Sequence, residues 1–164
     1  MTGMALSGPL QRRGLILAFL VVVADQISKF LVMSRVLSEV TQIELTSFLN
    51  LVTVWNRGVS FGLFNRDWPG TPWVLSAVAL AVVAFLVIWM ARSERPTPTL
   101  ALGAIIGGAL SNVIDRARFG AVYDFVDLHY AGWHWPAFNL ADSAITLGVL
   151  ALLIDALLGE RKPV

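Results

Sequence analysis

The stretch "PWVLSAVALAVVAFLVIWMA", residues 72–91, decides the fold class, because it runs for 20 residues without a charged side chain. A helix needs about 20 mostly apolar residues to cross the hydrocarbon core of a bilayer. Trp68 and Trp73 lie at one end of this stretch and Trp89 at the other, as in the aromatic belts of spanning helices. The stretch therefore predicts a transmembrane helix.

The composition of the whole chain agrees with a membrane protein. Of its 164 residues, 57% are hydrophobic and 14% are charged, whereas a soluble domain carries about 25% charged residues. The net charge of +1 and the lack of a basic patch argue against a nucleic-acid partner. There is no cysteine, and His129 and His134 lack zinc-type spacing, so we expect neither a metal nor another cofactor.

Three further uncharged or nearly uncharged runs predict spans over residues 14–33, 96–114 and 140–158. The first has an alternative interpretation, since Arg12 and Arg13 followed by "GLILAFLVVVA" resemble a cleaved signal peptide. We favour a retained span, because apolar residues continue beyond Asp25. Asp25 and Lys29 are also spaced i,i+4, so they can neutralise each other on one helix face.

Four spans place both termini on one side of the membrane. Lysine and arginine number six on each side, so the positive-inside rule gives a tie. The charges on the terminal side cluster at the span ends, which favours cytoplasmic termini.

Two outer segments, 34–71 and 115–139, connect the spans. Around Asn56–Gly58 the first segment predicts a strand, a turn and a returning strand, hence a small β-sheet at the membrane surface. The second predicts a loop whose aromatic rings suit the headgroup layer. We therefore expect one membrane-embedded domain over residues 1–164, mainly α, with four transmembrane helices, a small extracytoplasmic sheet and an outer aromatic-rich loop. The seven aromatic residues of the loop are Phe119, Tyr123, Phe125, Tyr130, Trp133, Trp135 and Phe138.

Two aspartates could carry chemistry where the third span ends and the fourth begins. Asp124 and Asp142 can meet at the outer surface, and two close carboxylates share one proton. One member can then activate water while the other protonates an amide, as peptide hydrolysis requires. The alternative is that both cap structure at the interface, with Asp142 favoured by a helix dipole. Asp127 could be a third member of this group, but as a surface carboxylate we expect it to be solvated.

Other polar residues lie within or beside the spans. Gly103, Gly107 and Ser111 form a small-residue stripe that predicts close helix packing. Asn112 and Asp115 lie on a neighbouring stripe that indicates either a functional site or a network stabilising the bundle. Arg116 follows and can balance carboxylates, Asp25 and Lys29 suggest a structural ion pair, and Asn56 and Asn139, judged alone, suggest turns.

A serine–lysine mechanism is a second possibility, because a desolvated lysine can act as the base for a serine hydroxyl. Lys29 has several candidate partners, and nothing in the local sequence selects one: Ser28, Ser60, Ser111 and Ser143.

Five motifs in order resemble lipoprotein signal peptidase, the signal peptidase II family of bacterial membrane aspartic proteases. They are "DQISK", "NRGVSFG", "GGALSNVIDR", "VYDFVD" and "FNLADSAI". Ser111 and Ser60 depart from the glycine and alanine that are commoner in the family, but both are small.

The resemblance implies that Asp124 and Asp142 are catalytic and that no cofactor is needed. It implies substrates that are diacylglyceryl-modified prolipoproteins, cut on the amino side of the lipidated cysteine. It also implies a bacterial inner-membrane protein with cytoplasmic termini and an outer active site, in contact with membrane lipids; we expect a monomer. The residues that the resemblance assigns to support are Asp25, Lys29, Asn56, Gly58, Asn112, Asp115, Arg116 and Asn139.

Two other function classes remain to be weighed. A channel or proton-coupled carrier would use Asp25, Asp115 and Asp142 as a relay, but a relay needs ionisable groups along the whole pore. The ionisable groups here concentrate in the outer half. A structural scaffold would not need the repeated Asn and Asp pattern.

Overall fold

The computed structural model describes residues 6, 8–58 and 68–159, and in these it has four long helices and one four-stranded sheet. The helices are α1 (Pro9–Leu31), α2 (Thr71–Arg92), α3 (Pro96–Phe119) and α4 (Leu140–Gly159), and a π-helical turn, Val32–Val36, continues α1. Each is long and apolar enough to cross a membrane. The prediction of a multi-pass, mainly α-helical membrane protein is confirmed.

Helix α3 is the centre of the bundle and packs against the other three helices. Its small residues allow this: a Cβ added at Gly103 would meet the backbone of Gly14, and one added at Gly107 would meet the backbone of Ala18, both in α1. Lipid tails give no hydrophobic drive between helices, so close backbone approach is what holds such a bundle together. The predicted packing role of this stripe is confirmed.

The third helix extends five residues beyond its predicted end at 114. It stops at Gly120, whose positive φ of 70° forms a left-handed cap with its N–H bonded to the Arg116 carbonyl at 3.0 Å. The predicted boundary was set at the first charged residue. A charge ends the hydrocarbon-compatible run, but it does not end the helix.

The sheet lies where α1 and α3 end and α4 begins, which we call the sheet end; the opposite end, where α1 begins and α4 finishes, is the terminal end. The strands of the sheet are β1 (Gln42–Thr46), β2 (Leu49–Asn56), β3 (Val122–Tyr130) and β4 (Trp133–His134). They lie in the order β1-β2-β3-β4, and each pair of neighbours is antiparallel. The predicted small sheet is confirmed, but its first hairpin turns between β1 and β2, ahead of Asn56. The predicted returning strand after Gly58 lies outside the described residues.

The second outer segment differs from the predicted aromatic-rich loop, because much of it is a hairpin. β3 pairs with β2, and a two-residue turn leads back into β4. Both turn residues have positive φ, 51° at Ala131 and 82° at Gly132, as a tight hairpin turn of matching twist requires. The valines and aromatic residues of this segment suit a membrane-surface loop, but they are also residues that favour β-strands.

Candidate active site

Asp124 and Asp142 open into one cavity of about 650 Å³ at the sheet end. Asp124 lies on β3, next to its β2 partner Val54, and is 2% exposed. Asp142 lies in the first turn of α4. The strand and the helix therefore bring together two carboxylates that are 18 residues apart in sequence.

Asn139 connects the two aspartates. Its side-chain N–H donates to Asp124 Oδ1 at 2.7 Å, while its backbone N–H donates to Asp142 Oδ2 at 3.3 Å. Its amide oxygen accepts from the Asp142 backbone N–H at 3.0 Å. Asn139 and Asp142 thus form a reciprocal cap at the start of α4. The same asparagine that begins the helix also orients the strand aspartate.

Asn56 holds the other oxygen of Asp124. Its Nδ2 donates to Asp124 Oδ2 at 3.2 Å, and its Oδ1 accepts from the Gly58 backbone N–H at 3.2 Å. The turn role expected for Asn56 is present, and a site contact comes in addition. Among the described residues, this bond is what links Gly58 to the site.

The environment of Asp124 favours its protonated form. Burial and, next, the negative charge of Asp142 raise the pKa of Asp124 to about 7, against hydrogen bonds from Asn56 and Asn139 that lower it. Near neutral pH the pair can therefore hold one proton between two carboxylates.

A buried ion cluster lies beneath the pair, between α1 and α3. Lys29 Nζ is 2.7 Å from both Asp25 Oδ2 and Asp115 Oδ2, and all three residues are at most 4% exposed. The Asp25–Lys29 pair is thus present as predicted, with Asp115 as a second carboxylate. Such charges are tolerated away from water only when each is paired and hydrogen-bonded.

The ion cluster holds the backbone next to each candidate catalytic residue. Asp25 Oδ1 accepts from the Ala141 N–H at 2.9 Å, one residue before Asp142. Asp115 Oδ2 accepts from the Tyr123 N–H at 3.2 Å, one residue before Asp124. Lys29 therefore positions both aspartates through the two carboxylates it binds.

Asn112 joins the ion cluster to the pair directly. Its Oδ1 accepts from Lys29 Nζ at 3.3 Å and its Nδ2 donates to Asp142 Oδ1 at 2.9 Å. Arg116, one turn further along α3, interacts electrostatically with Asp142, Asp115 and Asp124. All the residues assigned by resemblance thus belong to one connected region, although Gly58 is at its edge.

Asp127 is buried, so the expectation that it is solvated was wrong. It is 7% exposed, and it bonds Asn50 Nδ2 at 2.8 Å and His134 Nδ1 at 2.9 Å. Burial would raise its pKa, but the hydrogen bonds with His134 and Asn50 outweigh burial and lower the pKa of Asp127. Strand alternation places Asp127 on the face of β3 opposite Asp124.

Sequence reasoning missed Gln26, which bonds Asp115 Oδ1 at 2.8 Å and Ser111 Oγ at 3.0 Å. Its signal was available, since a polar side chain inside a span indicates function or packing. Ser111, treated as a packing residue, also donates to Asp25 Oδ2 at 2.6 Å.

The described residues do not favour the serine–lysine alternative. Lys29 Nζ contacts Asp25, Asp115 and Asn112, which uses its three donors. Among the described serines, none bonds Lys29: Ser28 and Ser143 bond backbone carbonyls and Ser111 bonds Asp25. Ser60 lies outside the described residues.

Paired aspartates opening into one cavity at the end of a membrane bundle define a class, the membrane aspartic peptidases. The family follows from comparison: a family model described as signal peptidase (SPase) II matches residues 17–158. This chain belongs to the signal peptidase II family, and the predicted resemblance is confirmed.

Individual relatives agree over most of the chain. The lipoprotein signal peptidase of Methylorubrum extorquens is 46% identical over 147 residues, covering 89% of this chain and 86% of that protein. The lipoprotein signal peptidase of Anaplasma phagocytophilum is 46% identical over 142 residues, covering 85% and 88%. A solved bacterial membrane enzyme superposes with a TM-score of 0.76 at 28% identity, covering 90% of this chain and 94% of that one.

Proposed function

We propose that this chain is an aspartic endopeptidase that removes the signal peptide from prolipoproteins, with Asp124 and Asp142 as its catalytic pair. The observation that carries the proposal is the shared cavity, in which Asn139 bonds both carboxylates. Family membership supports the reaction, and the geometry supports the residues.

A pair of carboxylates that shares one proton suits the hydrolysis of an amide by water. The other carboxylate, Asp142, takes a proton from a water molecule as the water oxygen attacks the scissile carbonyl carbon. Asp124, protonated because of its raised pKa, donates its proton to the carbonyl oxygen. The tetrahedral diol then collapses: the C–N bond breaks, and the proton held by Asp142 passes to the leaving nitrogen. A diol proton returns to Asp124, so the pair ends as it began.

The supporting residues act by position and charge. Asn56 and Asn139 orient Asp124, while Asn112 orients Asp142. Lys29 fixes the backbone beside both through Asp25 and Asp115. Arg116 offsets the negative charge that gathers around the pair.

The walls of the cavity suit a lipid-bearing peptide. Leu128, Trp135 and Phe138 line one part, and Ser143 and Leu147 of α4 line another. Leu147 is 66% exposed on a helix of membrane-spanning length, so this wall continues toward lipid. A diacylglyceryl-modified cysteine can approach along this side with its acyl chains still in the bilayer. Each CH₂ kept out of water contributes about 0.8 kcal/mol.

The position in the cell follows from the same reaction. We place the chain, as one domain, in the inner membrane of a bacterium, with cytoplasmic termini and the sheet end outside. There the pair is near water and within reach of exported precursors. No nucleic-acid partner is implied, and one copy contains every side chain that the mechanism uses.

The test is cleavage of a diacylglyceryl-modified prolipoprotein by the purified protein in detergent, followed by mass spectrometry. We expect a product that begins at the modified cysteine, much slower turnover of the unlipidated precursor, and unchanged activity after exhaustive chelation. Equal turnover of both precursors would contradict the predicted requirement for a lipidated cysteine. Activity lost on chelation and restored by a cation would remove the two-carboxylate mechanism.

A further inference from the structure

A second cavity, of about 490 Å³, lies at the terminal end of the bundle. Its walls come from the last turn of α2, the turn into α3, and the last turns of α4. α2 and α4 both pack against α3 but have little contact with each other, which leaves a crevice over α3. Trp89 and Leu152 supply its apolar surface, and its charged surface comes from Arg92, Glu94, Arg95 and Asp155.

An apolar groove of about 330 Å³ adjoins this cavity along α2. Phe85, Ile88, Trp89 and Arg92 line it, and both Trp89 and Arg92 also line the cavity. The four residues are spaced i, i+3, i+4 and i+7, which puts them on one helix face. The groove therefore runs from the hydrocarbon depth of α2 to a single cation at its end.

The charges differ in how they are satisfied. Arg95 is paired with Asp155 at 2.6 Å. Arg92 is exposed, and within the described residues its side chain forms no hydrogen bond or ion pair. Four arginines, Arg12, Arg13, Arg92 and Arg95, outnumber the two carboxylates Glu94 and Asp155, so the described charges at this end give a net charge of +2. The first turn of α3, with its partial positive charge, also borders the cavity.

We propose that the cavity and the groove form a binding site for one anionic phospholipid. The phosphate binds Arg92 where cavity and groove meet, the rest of the headgroup occupies the cavity, and an acyl chain lies along Phe85, Ile88 and Trp89. A free phosphate would leave the groove unused, and a zwitterionic headgroup would bring its own cation toward Arg92. A bound lipid would connect α2 to α4, which otherwise have little contact with each other.

The test measures lipid binding to the full-length protein in neutral detergent, by native mass spectrometry and by melting temperature. Phosphatidylglycerol should bind about tenfold more tightly than phosphatidylcholine of the same chains and should raise the melting temperature more, as loss of one charge-assisted contact costs roughly a factor of ten. Arg92→Gln should remove this preference. Arg92→Lys should retain most of it.

Matched variants separate a site from general surface charge. Arg13→Gln removes an exposed arginine at the same end and should leave binding unchanged. Ile88→Asn, in the groove, should weaken phosphatidylglycerol binding, and inorganic phosphate should not compete. The proposal is overturned if Arg92→Gln and Arg13→Gln weaken phosphatidylglycerol binding equally, or if phosphatidylcholine binds as tightly as phosphatidylglycerol. Competition by inorganic phosphate would also overturn it. None of these residues touches Asp124 or Asp142, so the outcome does not depend on the peptidase mechanism.

Discussion

The pKa of Asp124 is the residue-scale property on which the reaction depends most. Because Asp124 must hold a proton, we expect the cleavage rate to fall as pH rises through about 7, where Asp124 loses it. The pair titrates as a unit, so the measured value belongs to both carboxylates. A pH–rate profile with lipidated substrate checks this. A rate that stays level from about pH 6 to about pH 9 would contradict it.

The same shift has a consequence for stability. A carboxylate whose pKa is raised by folding makes the protein most stable when it is protonated, and this stability is lost as pH rises from the unfolded value to about 7. Above that range the native state holds an unfavourable negative charge on Asp124.

Lys29 is the second residue on which the site depends. Lys29→Met leaves Asp25 and Asp115 buried without their cation, and breaking a buried pair typically costs about 3–5 kcal/mol. We expect a much lower melting temperature in detergent. Arg13→Met, on an exposed part of the same helix, is the control and should melt like the wild type. Equal melting of the two variants would show that the ion cluster contributes little.

At the scale of elements, the start of α4 and the strand β3 are joined by Asn139. Asn139→Ser keeps an oxygen that can cap α4 but removes the N–H donated to Asp124. Since that bond lowers the pKa of Asp124, its loss should shift the alkaline limb of the pH–rate profile upward while kcat falls. A purely structural role would lower the melting temperature without moving the limb.

The elements also show what the sequence could predict. A long uncharged run is compatible with little besides a membrane-spanning helix, so the sequence predicts all four helices. The predicted end of α3 is too early, because the helix continues through Asp115 and Arg116. β3 was missed, because its valines and aromatic residues fit a membrane-surface loop as well as a strand. The pairing of β2 with β3 depends on contacts between residues more than 65 positions apart, such as Asn56 with Asp124. No local pattern contains that contact.

The candidate site was predicted on two grounds. Asp124 and Asp142 are candidates because a charge beside apolar sequence is costly, and the choice of catalysis over capping rests on the resemblance to the signal peptidase II family. The roles of Asn139 and Gln26 could not be derived in the same way, because a single amide is equally compatible with a turn, a cap or a site. Only the folded geometry gives Asn139 its two carboxylate partners.

At the scale of the whole molecule, the first span should remain part of the mature protein. Residues before Asp25 pack against α3, where Gly14 meets Gly103 and Ala18 meets Gly107. Removing them would expose this surface of α3 and would leave Asp25 without the helix that positions it. We expect the intact mass of protein purified from membranes to include the part of α1 that precedes Asp25. A mature chain that starts near Asp25 would contradict the four-span architecture.

We propose that Asp124 and Asp142 act as one catalytic unit, and replacing each with asparagine tests this proposal. Asparagine keeps the size of aspartate but cannot exchange the shared proton. Asp124→Asn and Asp142→Asn should each slow cleavage by at least about 10²-fold, and the double variant should be no worse than either single variant. Asp127→Asn, on the opposite face of β3, is the control and should keep most activity.

The decisive measurement is the cleavage rate of a lipidated precursor by these variants, taken together with their melting temperatures. We expect inactive Asp124→Asn and Asp142→Asn proteins that melt close to the wild-type temperature, because an amide keeps the size of the carboxyl group and removes the repulsion between two close carboxylates. Near-normal turnover by a well-folded Asp124→Asn protein would contradict the aspartic mechanism.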